Sequence, residues 1–250
     1  MDSEGDKASS VDGQSEHALE VIPGLAAIRF VDLPEELLSP EPIIFDNLRK
    51  LLPRADAVVF NSYAEVNPAP LISDLRSNFR KLLNVGCTSV KIPTAVHVPS
   101  RLDQTECLEL LDYQQKPEFC GEDVLLWENC SLVPQSQILS HPSTRAFISH
   151  WGYSLVFESV IGEVPIICIP QWIDQFTDSR MVEDVWGIGV RVEVRTISKN
   201  GMVKCLKMIL GDGGGGKKMR EKIKAIKEAI MEPVGPNGGA SKDFKRAWRS

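Results

Sequence analysis

Short apolar runs alternate with helical patterns in the first part of the chain. Residues 57–60 (Ala-Val-Val-Phe) and 82–86 are typical of short buried strands. Apolar spacing predicts a helix over residues 43–52 that stops at Pro53, and a second helix is expected over residues 69–79. This order of helix, strand, helix and strand predicts a parallel sheet with crossover helices, which is the α/β class.

The same alternation is clearer in the second half of the chain. Strands are predicted over residues 147–149, 164–169 and 187–194, with a further candidate at 131–133. Helices are predicted over residues 155–160, 174–185, 201–210 and 217–231. In the last helix, the positions that fall on one apolar face are Met219, Ile223, Ile226 and Ile230. The Lys and Glu residues between them are interpreted as a solvated face.

Composition divides the chain into four parts. Residues 1–19 are acidic and rich in Ser and Gly, so they are predicted to form a disordered tail. Residues 91–118 contain three prolines among mixed polar residues, which is typical of a linker. The linker separates an N-terminal domain, residues 20–90, from a C-terminal domain, residues 119–250, that closes with helices.

The overall composition argues against several classes of protein. Hydrophobic residues make up 43% and charged residues 25% of the 250 residues, which is enough apolar material for a core. The chain carries 28 Lys and Arg against 34 Asp and Glu, a net charge of −6. A nucleic-acid partner is therefore not expected, because phosphate binders usually carry a basic excess. The chain contains no run of about 18 apolar residues, so no membrane span is expected.

The cysteines indicate a reducing compartment. The chain contains six, none of them in a C-x-x-C pair, and it is long for a scaffold held by disulfides. Residues 1–17 have no apolar core of the kind that a signal peptide needs. We therefore expect a cytoplasmic protein with free thiols.

A glycine-rich run at residues 211–218 nearly fits the phosphate-binding pattern G-x-x-x-x-G-K-[ST]. Its last position is Lys218, which has no hydroxyl for a magnesium ion. The run also follows a predicted helix, whereas the motif follows a strand. A flexible surface loop between two helices is the better interpretation.

Candidate ligand-binding residues gather where a predicted strand turns into a helix. His150 and Gly152 directly follow the strand at 147–149. In an open α/β sheet, ligands bind at the carboxyl ends of the strands. A helix that starts there offers backbone N–H groups and a positive dipole end to a phosphate, and His150 could add a hydrogen bond.

Further polar residues fall at the same predicted edge. Glu158 lies along the helix and could accept hydrogen bonds from sugar hydroxyls. Asp174 and Gln175 follow the next strand, 164–169, so they share that edge of the sheet. Hydrogen-bond donors for a phosphate, a carboxylate and an Asp-Gln pair suit a nucleotide sugar. Other ligands that Rossmann-like folds bind are also compatible with these residues.

Residues 132–175 contain a dense set of motif residues: Pro134-Gln135, Ile138-Leu139 with His141, Phe147, His150, Gly152, Glu158-Ser159, Val164-Pro165, Pro170 and Asp174-Gln175. In type and spacing these residues resemble the signature box of plant UDP-dependent glycosyltransferases, the secondary-product glycosyltransferase family. The chain resembles this family, with interruptions, from about residue 21 to the end. Within the family, it most resembles the flavonoid 3-O-glycosyltransferase branch. The resemblance implies a GT-B fold of two Rossmann-like parallel-sheet domains. The 250 residues are short for that fold, so we expect both domains to be incomplete.

The resemblance implies transfer of a sugar from a UDP-sugar to a hydroxyl of a small aromatic acceptor such as a flavonoid. Inversion at the sugar is implied, with no metal ion and no other cofactor. UDP-sugar binding is implied for Leu132, Val133, Gln135, His150, Gly152, Tyr153, Ser154, Glu158, Asp174 and Gln175. The resemblance implies that the backbone at Val133 contacts the uracil edge and that Gln135 contacts the uridine. It implies that Glu158 binds the ribose and His150 the phosphate. Asp174 and Gln175 are implied to bind the hydroxyls of the sugar.

Several positions depart from the family's pattern. Leu132 replaces the family's Trp and lacks the aromatic face that stacks on uracil. Leu155 replaces a phosphate-binding hydroxyl, and Ser154 replaces a longer Asn. Arg145 and Glu163 replace glycines, which changes the backbone conformations that these positions favour.

No residue of the chain is assigned a catalytic role. The family's general base is a His just after the first strand of the N-terminal domain, and neither His17 nor His97 has that context. Two hypotheses therefore stand: a working UDP-sugar transferase, or a non-catalytic shortened relative that binds a nucleotide or a partner weakly. Incomplete sheets would leave exposed edges that favour self-association.

Each candidate residue also has a structural interpretation. His150 could be a satisfied buried histidine at a strand end, and Glu158 a charge on a helix surface. Asp174 could cap the helix that follows it. His141 is expected to hydrogen bond to the backbone near the signature box.

Overall fold

The computed structural model describes residues 22–38, 43–87, 135–150, 152–170, 174–192 and 198–248. Three predicted segments lie outside the described residues: the acidic tail, the linker and the candidate strand at 131–133.

The first sheet has two short parallel strands. β1 (Val58–Phe60) pairs with β2 (Leu82–Asn84), and Val58 stands beside Leu82. The α-helices of this part are α1 (Glu35–Leu38), α2 (Ile43–Leu51) and α3 (Ala69–Asn78). Short 3-10 helices lie at Phe30–Asp32, Leu52–Arg54 and Ala64–Val66. The predicted order of helix, strand, helix and strand is confirmed.

The second sheet has three parallel strands in sequence order. They are β3 (Phe147–Ser149), β4 (Ile166–Cys168) and β5 (Gly189–Arg191). The helix α4 (Gln135–Leu139) precedes β3, and the helices between the strands are α5 (Tyr153–Gly162) and α6 (Gln175–Arg180). All three residues of β4 are buried, as expected for a central strand that is covered on both faces.

The helix predicted over residues 174–185 is only partly α-helical. α6 stops at Arg180 and the chain continues as a π-helix, Met181–Trp186. The π-helix ends at Gly187, whose φ of 62° is in the left-handed region that glycine adopts without strain. This change of helix type leads the chain directly into β5.

Three helices close the described chain: α7 (Lys199–Leu210), α8 (Gly215–Val234) and α9 (Gly239–Trp248). On α8, Ile223 and Ile230 are fully buried, which confirms the apolar face predicted from their spacing. A turn at residues 211–214 joins α7 to α8, so the loop predicted for the glycine-rich run is shorter than expected, because residues 215–218 already belong to α8.

Two apolar clusters lie on opposite faces of the second sheet. Ile166 belongs to the larger cluster and Ile167 to the smaller one, because successive strand residues point to opposite faces. The larger cluster also contains Tyr63 and Cys87, which lie beside the first sheet. Among the described helices, none is long and apolar enough to cross a membrane.

The last helix connects the two sheets. α9 packs against β2, although it follows the second sheet in sequence. The backbone N–H of Asn84 donates to Oδ2 of Asp243 at 3.1 Å. A second hydrogen bond has its donor in the second part of the chain: the indole N–H of Trp186 donates to the carbonyl of Val66 at 2.9 Å. The first and second sheets are therefore held together by contacts on more than one side.

Candidate functional site

The carboxyl ends of β3 and β4 lie side by side, because the strands are parallel and Ser149 is paired with Cys168. His150 directly follows β3 and is exposed. The interpretation of His150 as a buried histidine is therefore wrong. Its imidazole lies at the strand end where α/β folds place their ligands.

Helix α5 begins at the same edge. Gly152 is its N-cap residue and has no side chain to satisfy the N–H groups of the first turn. A helix start of this kind presents backbone donors and the positive end of the helix dipole, the two features that attract phosphate. Ser154, the second residue of α5, is half-buried in this turn.

Gln135 and Glu158 form one polar unit between α4 and α5. Nε2 of Gln135 donates to Oε2 of Glu158 at 2.6 Å, and both residues are half-buried. The helices approach closely because Gly162 lies against the carbonyl of Leu139, where a Cβ would stand only 2.6 Å from the oxygen. Glu158 is thus oriented by another residue of the candidate set and is not a free charge on a helix surface.

Asp174 and Gln175 lie at the start of α6. Asp174 is exposed, and its side chain makes no capping hydrogen bond to the helix. The capping interpretation is therefore wrong. Gln175 is the first residue of α6 and is half-buried.

Asp178 was not among the candidate residues of the sequence analysis. It lies one turn after Asp174 in α6. Burial, together with the neighbouring negative charge of Asp174, raises the pKa of Asp178 to about 7. Its i, i+4 spacing from Asp174 was the only sequence signal, and spacing gives no information on burial.

Tyr153 takes part in packing between the two sheets. Its ring meets Phe157 edge-on, with centroids 5.2 Å apart. Its hydroxyl lies 2.6 Å from Oγ of Ser62. Burial raises the pKa of Tyr153 to about 12. The hydroxyl predicted to contact the donor is therefore engaged with the loop after β1.

Other residues of the signature box have structural roles or lie outside the described chain. Nδ1 of His141 accepts a hydrogen bond from the backbone N–H of Ser143 at 3.2 Å, which confirms its predicted backbone contact. Leu132 and Val133, predicted to face the uracil, lie outside the described residues.

A buried carboxylate in the 3-10 helix Phe30–Asp32 was also missed by the sequence analysis. Asp32 is only 2% exposed. It accepts hydrogen bonds from Arg180 in α6 and from Arg191 in β5. The partners are 148 and 159 residues away, so no local pattern could have indicated them.

A surface depression among the described residues lies away from these side chains. Its volume is about 490 Å³, and it is lined by residues of the α4–β3 loop, the end of α5 and α8, among them Arg145, Glu163 and Arg220. It is therefore near the carboxyl end of α5, opposite the helix start at Gly152. In the part of the chain described, no group of three or more His, Cys, Asp or Glu residues is placed to hold a metal ion.

Comparison with known families agrees with this geometry. Residues 95–229 match the model of the family described as UDP-glucoronosyl and UDP-glucosyl transferase. An anthocyanidin 3-O-glucosyltransferase of Manihot esculenta is 32% identical over 90% of this chain and 94% of its own length. The chain therefore belongs to the UDP-glucoronosyl and UDP-glucosyl transferase family.

Further comparisons concern the fold and the extent of the match. Anthocyanidin 3-O-glucosyltransferase 2 of Fragaria ananassa is 33% identical over 91% of this chain, which spans 61% of that protein's length. A crystal structure of UDP-glucose:anthocyanidin 3-O-glucosyltransferase in complex with UDP superposes with a TM-score of 0.76 and 28% identity, covering 94% of this chain and 63% of that one. The expected GT-B fold is confirmed.

Proposed function

We propose that this chain is a UDP-sugar-dependent glycosyltransferase that modifies a hydroxyl of a small aromatic acceptor such as a flavonoid. The observation that carries the proposal is the hydrogen bond of 2.6 Å between Gln135 and Glu158. It lies beside the end of β3, where His150 follows the strand and α5 begins without a side-chain cap. The relatives, named for glucosyl transfer to anthocyanidins, support the same substrate class.

Each part of the donor has a candidate partner in this arrangement. The Glu158 carboxylate, held by Gln135, would accept hydrogen bonds from the ribose hydroxyls. His150 and the N–H groups at the start of α5 would bind the diphosphate. Asp174 and Gln175 would bind the hydroxyls of the sugar. The backbone at Val133 and the side chain of Leu132 would contact the uracil.

The proposed reaction is a single displacement at the anomeric carbon. The acceptor oxygen forms a bond to that carbon while the bond to the UDP oxygen breaks, and the bonding electrons leave with UDP. The configuration is therefore inverted, and the proton of the acceptor hydroxyl passes to water. Negative charge grows on the departing phosphate, where the positive end of α5 and a hydrogen bond from His150 would stabilise it. No base is assigned among the residues of this chain.

Calorimetric titration with UDP tests the donor site. The folded protein is expected to bind UDP with a dissociation constant of about 1 mM or tighter. Glu158→Ala is expected to weaken binding by about tenfold or more, because a charge-assisted hydrogen bond contributes about 1.5–3 kcal/mol. Glu163→Ala is the matched control, since Glu163 lies just beyond the other end of α5 and is exposed. Absence of heat at high protein concentration, or equal losses in both variants, contradicts the proposed site.

Turnover is tested separately from binding. Incubation with UDP-glucose and a flavonol is expected to give a glycoside that mass spectrometry detects. UDP binding without any product selects the other hypothesis, a non-catalytic relative. The glucoside must disappear when UDP-glucose is omitted, which serves as the control.

We also propose a reducing, cytoplasmic setting and a tendency to self-associate. In the described part of the chain, the buried cysteines Cys87, Cys168 and Cys205 are not joined in disulfides, which suits a reducing compartment. Large apolar side chains are exposed around the first sheet, Leu51 at 61% and Val59 at 53%. Such surface favours association between copies. Light scattering over a concentration series checks it, and a constant monomer mass contradicts it.

A further inference from the structure

The segment that contains Asp32 reaches across to the helix that carries Asp174 and Gln175. Nε and Nη2 of Arg180, the last residue of α6, donate to Oδ2 and Oδ1 of Asp32 at 2.9 and 3.2 Å. Earlier in α6, the Thr177 hydroxyl donates to the backbone carbonyl of Asp32 at 2.5 Å. α6 is therefore held to one residue of the N-terminal segment by three hydrogen bonds.

The same carboxylate is fixed from two other directions. Nη1 of Arg191 in β5 donates to Oδ1 at 3.0 Å, and the N–H of Arg29 donates to Oδ2 at 3.0 Å. Burial by itself would raise the pKa of Asp32, but the hydrogen bonds from Arg180, Arg29 and Arg191 hold it below its usual range. Asp32 is thus an ionised, buried anchor with little freedom to move.

The length of α6 makes this anchor important. α6 has six residues and continues directly into the six-residue π-helix Met181–Trp186, and a helix of about 12 residues whose second half is π-helical is marginal by itself. Its direction is therefore set by tertiary contacts. At about 1.5 Å per residue, Arg180 lies only about 8 Å from Gln175, so a tilt at one end is transmitted to the other.

We propose that Asp32 is a positioning residue for the sugar-binding turn at Asp174 and Gln175, acting through Arg180 and Thr177. This inference rests on the proposed function, because it assigns the sugar part of the donor to that turn. It predicts that Asp32 affects recognition of the sugar and leaves recognition of the nucleotide unchanged. Asp32 itself lies in the core of the contact and would touch no substrate.

The ratio of the dissociation constants for UDP-glucose and UDP gives the test. In Asp32→Asn, an amide replaces the carboxylate and presents N–H groups to Arg180 and Arg191. We expect UDP affinity to stay within about twofold and the ratio to rise about tenfold, since small misplacement of a binding group has effects of this size. Asp184→Asn is the matched control, because Asp184 accepts from the same Arg180 at 2.8 Å but belongs to the π-helix and not to the N-terminal segment.

A second variant and a measurement without ligand keep the inference testable if Asp32→Asn does not fold. Thr177→Val removes one of the three hydrogen bonds and is expected to raise the ratio in the same direction by about threefold, the size of one hydrogen bond. Hydrogen–deuterium exchange should show faster exchange of the α6 amides in both variants, with α8 unchanged.

Each outcome has a meaning for the inference. Equal weakening of UDP and UDP-glucose, an unchanged ratio, or unchanged exchange in α6 overturns the positioning role while leaving the proposed function intact. Failure of the unaltered protein to bind UDP overturns both. An equal rise of the ratio in Asp184→Asn would assign the effect to Arg180 alone and remove Asp32 from it.

Discussion

The hydroxyls of Ser62 and Tyr153 lie 2.6 Å apart, although 91 residues separate them in the chain. This hydrogen bond joins the loop after β1 to the first turn of α5, so the start of the candidate phosphate-binding helix is fixed by the first sheet. Asn67 also donates to Oγ of Ser62, at 2.8 Å, which orients the serine. The proposed donor site therefore depends on both parts of the chain.

Removing the Tyr153 hydroxyl is expected to lower stability and, because its bond to Ser62 helps to fix the start of α5, to weaken the binding of UDP and UDP-glucose by the same small factor. Tyr153→Phe keeps the ring packed on Phe157 but loses the bond to Ser62, at a cost of about 1 kcal/mol. Urea unfolding measures the loss, and Ser62→Ala serves as the matched variant from the other side. A clear drop in UDP-glucose affinity without a drop in UDP affinity would instead support a direct contact with the donor, as the resemblance implied for Tyr153.

The pKa of Asp178, about 7, predicts a pH-dependent stability. In the unfolded chain this carboxyl titrates near its ordinary value of 3.8, so between about pH 4 and pH 7 the folded state binds more protons than the unfolded state. The contribution of Asp178 therefore destabilises the fold progressively as the pH rises through this range, and it is constant above it.

Asp178→Asn tests this pH dependence. The variant is expected to gain up to about 4 kcal/mol over the unaltered protein at pH 8, which corresponds to the rise in pKa from 3.8 to about 7, and to lose that advantage near pH 4, because the amide cannot ionise. Guanidinium unfolding at several pH values gives the comparison. Asp212→Asn, at an exposed position in the turn between α7 and α8, is the control that should leave the pH profile unchanged. A gain that is the same at all pH values contradicts the assignment.

Glu163 has a strained backbone conformation that a glycine would relieve. Its φ is 59° and its ψ 31°, in the left-handed region, where it ends α5. Glu163→Gly removes a cost of about 1 kcal/mol but also loses the exposed ion pair with Lys227, which contributes less. We expect a small net increase in the melting temperature. Glu163→Gln removes the ion pair and keeps the backbone conformation, so it measures the ion pair alone. If Glu163→Gly is less stable than Glu163→Gln, the strain argument is contradicted.

The Gln135–Glu158 contact predicts a strong effect of a second carboxylate. Gln135→Glu places two carboxylates at about the 2.6 Å spacing of the present hydrogen bond. Like charges this close raise the pKa of one partner, so the variant should be destabilised at pH 8 and recover toward pH 5, where the pair shares a proton. Thermal unfolding at both pH values measures this, with Gln135→Met as the uncharged control. Equal stability of the two variants at pH 8 would show that the side chains do not stay in contact.

Local sequence pattern was sufficient where a single element determines the outcome. The 3.6-residue spacing indicated that Ile223 and Ile230 face the core, and both are buried. The apolar run at 164–169 indicated the central strand β4, because a strand covered on both faces needs apolar residues at every position. The signature residues also indicated the GT-B fold before any contact was known.

The sequence by itself therefore determined the class of fold, the order of the elements and which residues are candidates for donor binding. Only the tertiary structure decided which candidates meet: it paired Gln135 with Glu158, turned the Tyr153 hydroxyl toward Ser62, buried Asp178, and joined Asp32 to Arg180. Periodicity and turn preferences depend on neighbours a few residues away, whereas these contacts and their pKa shifts depend on where distant segments of the chain come together.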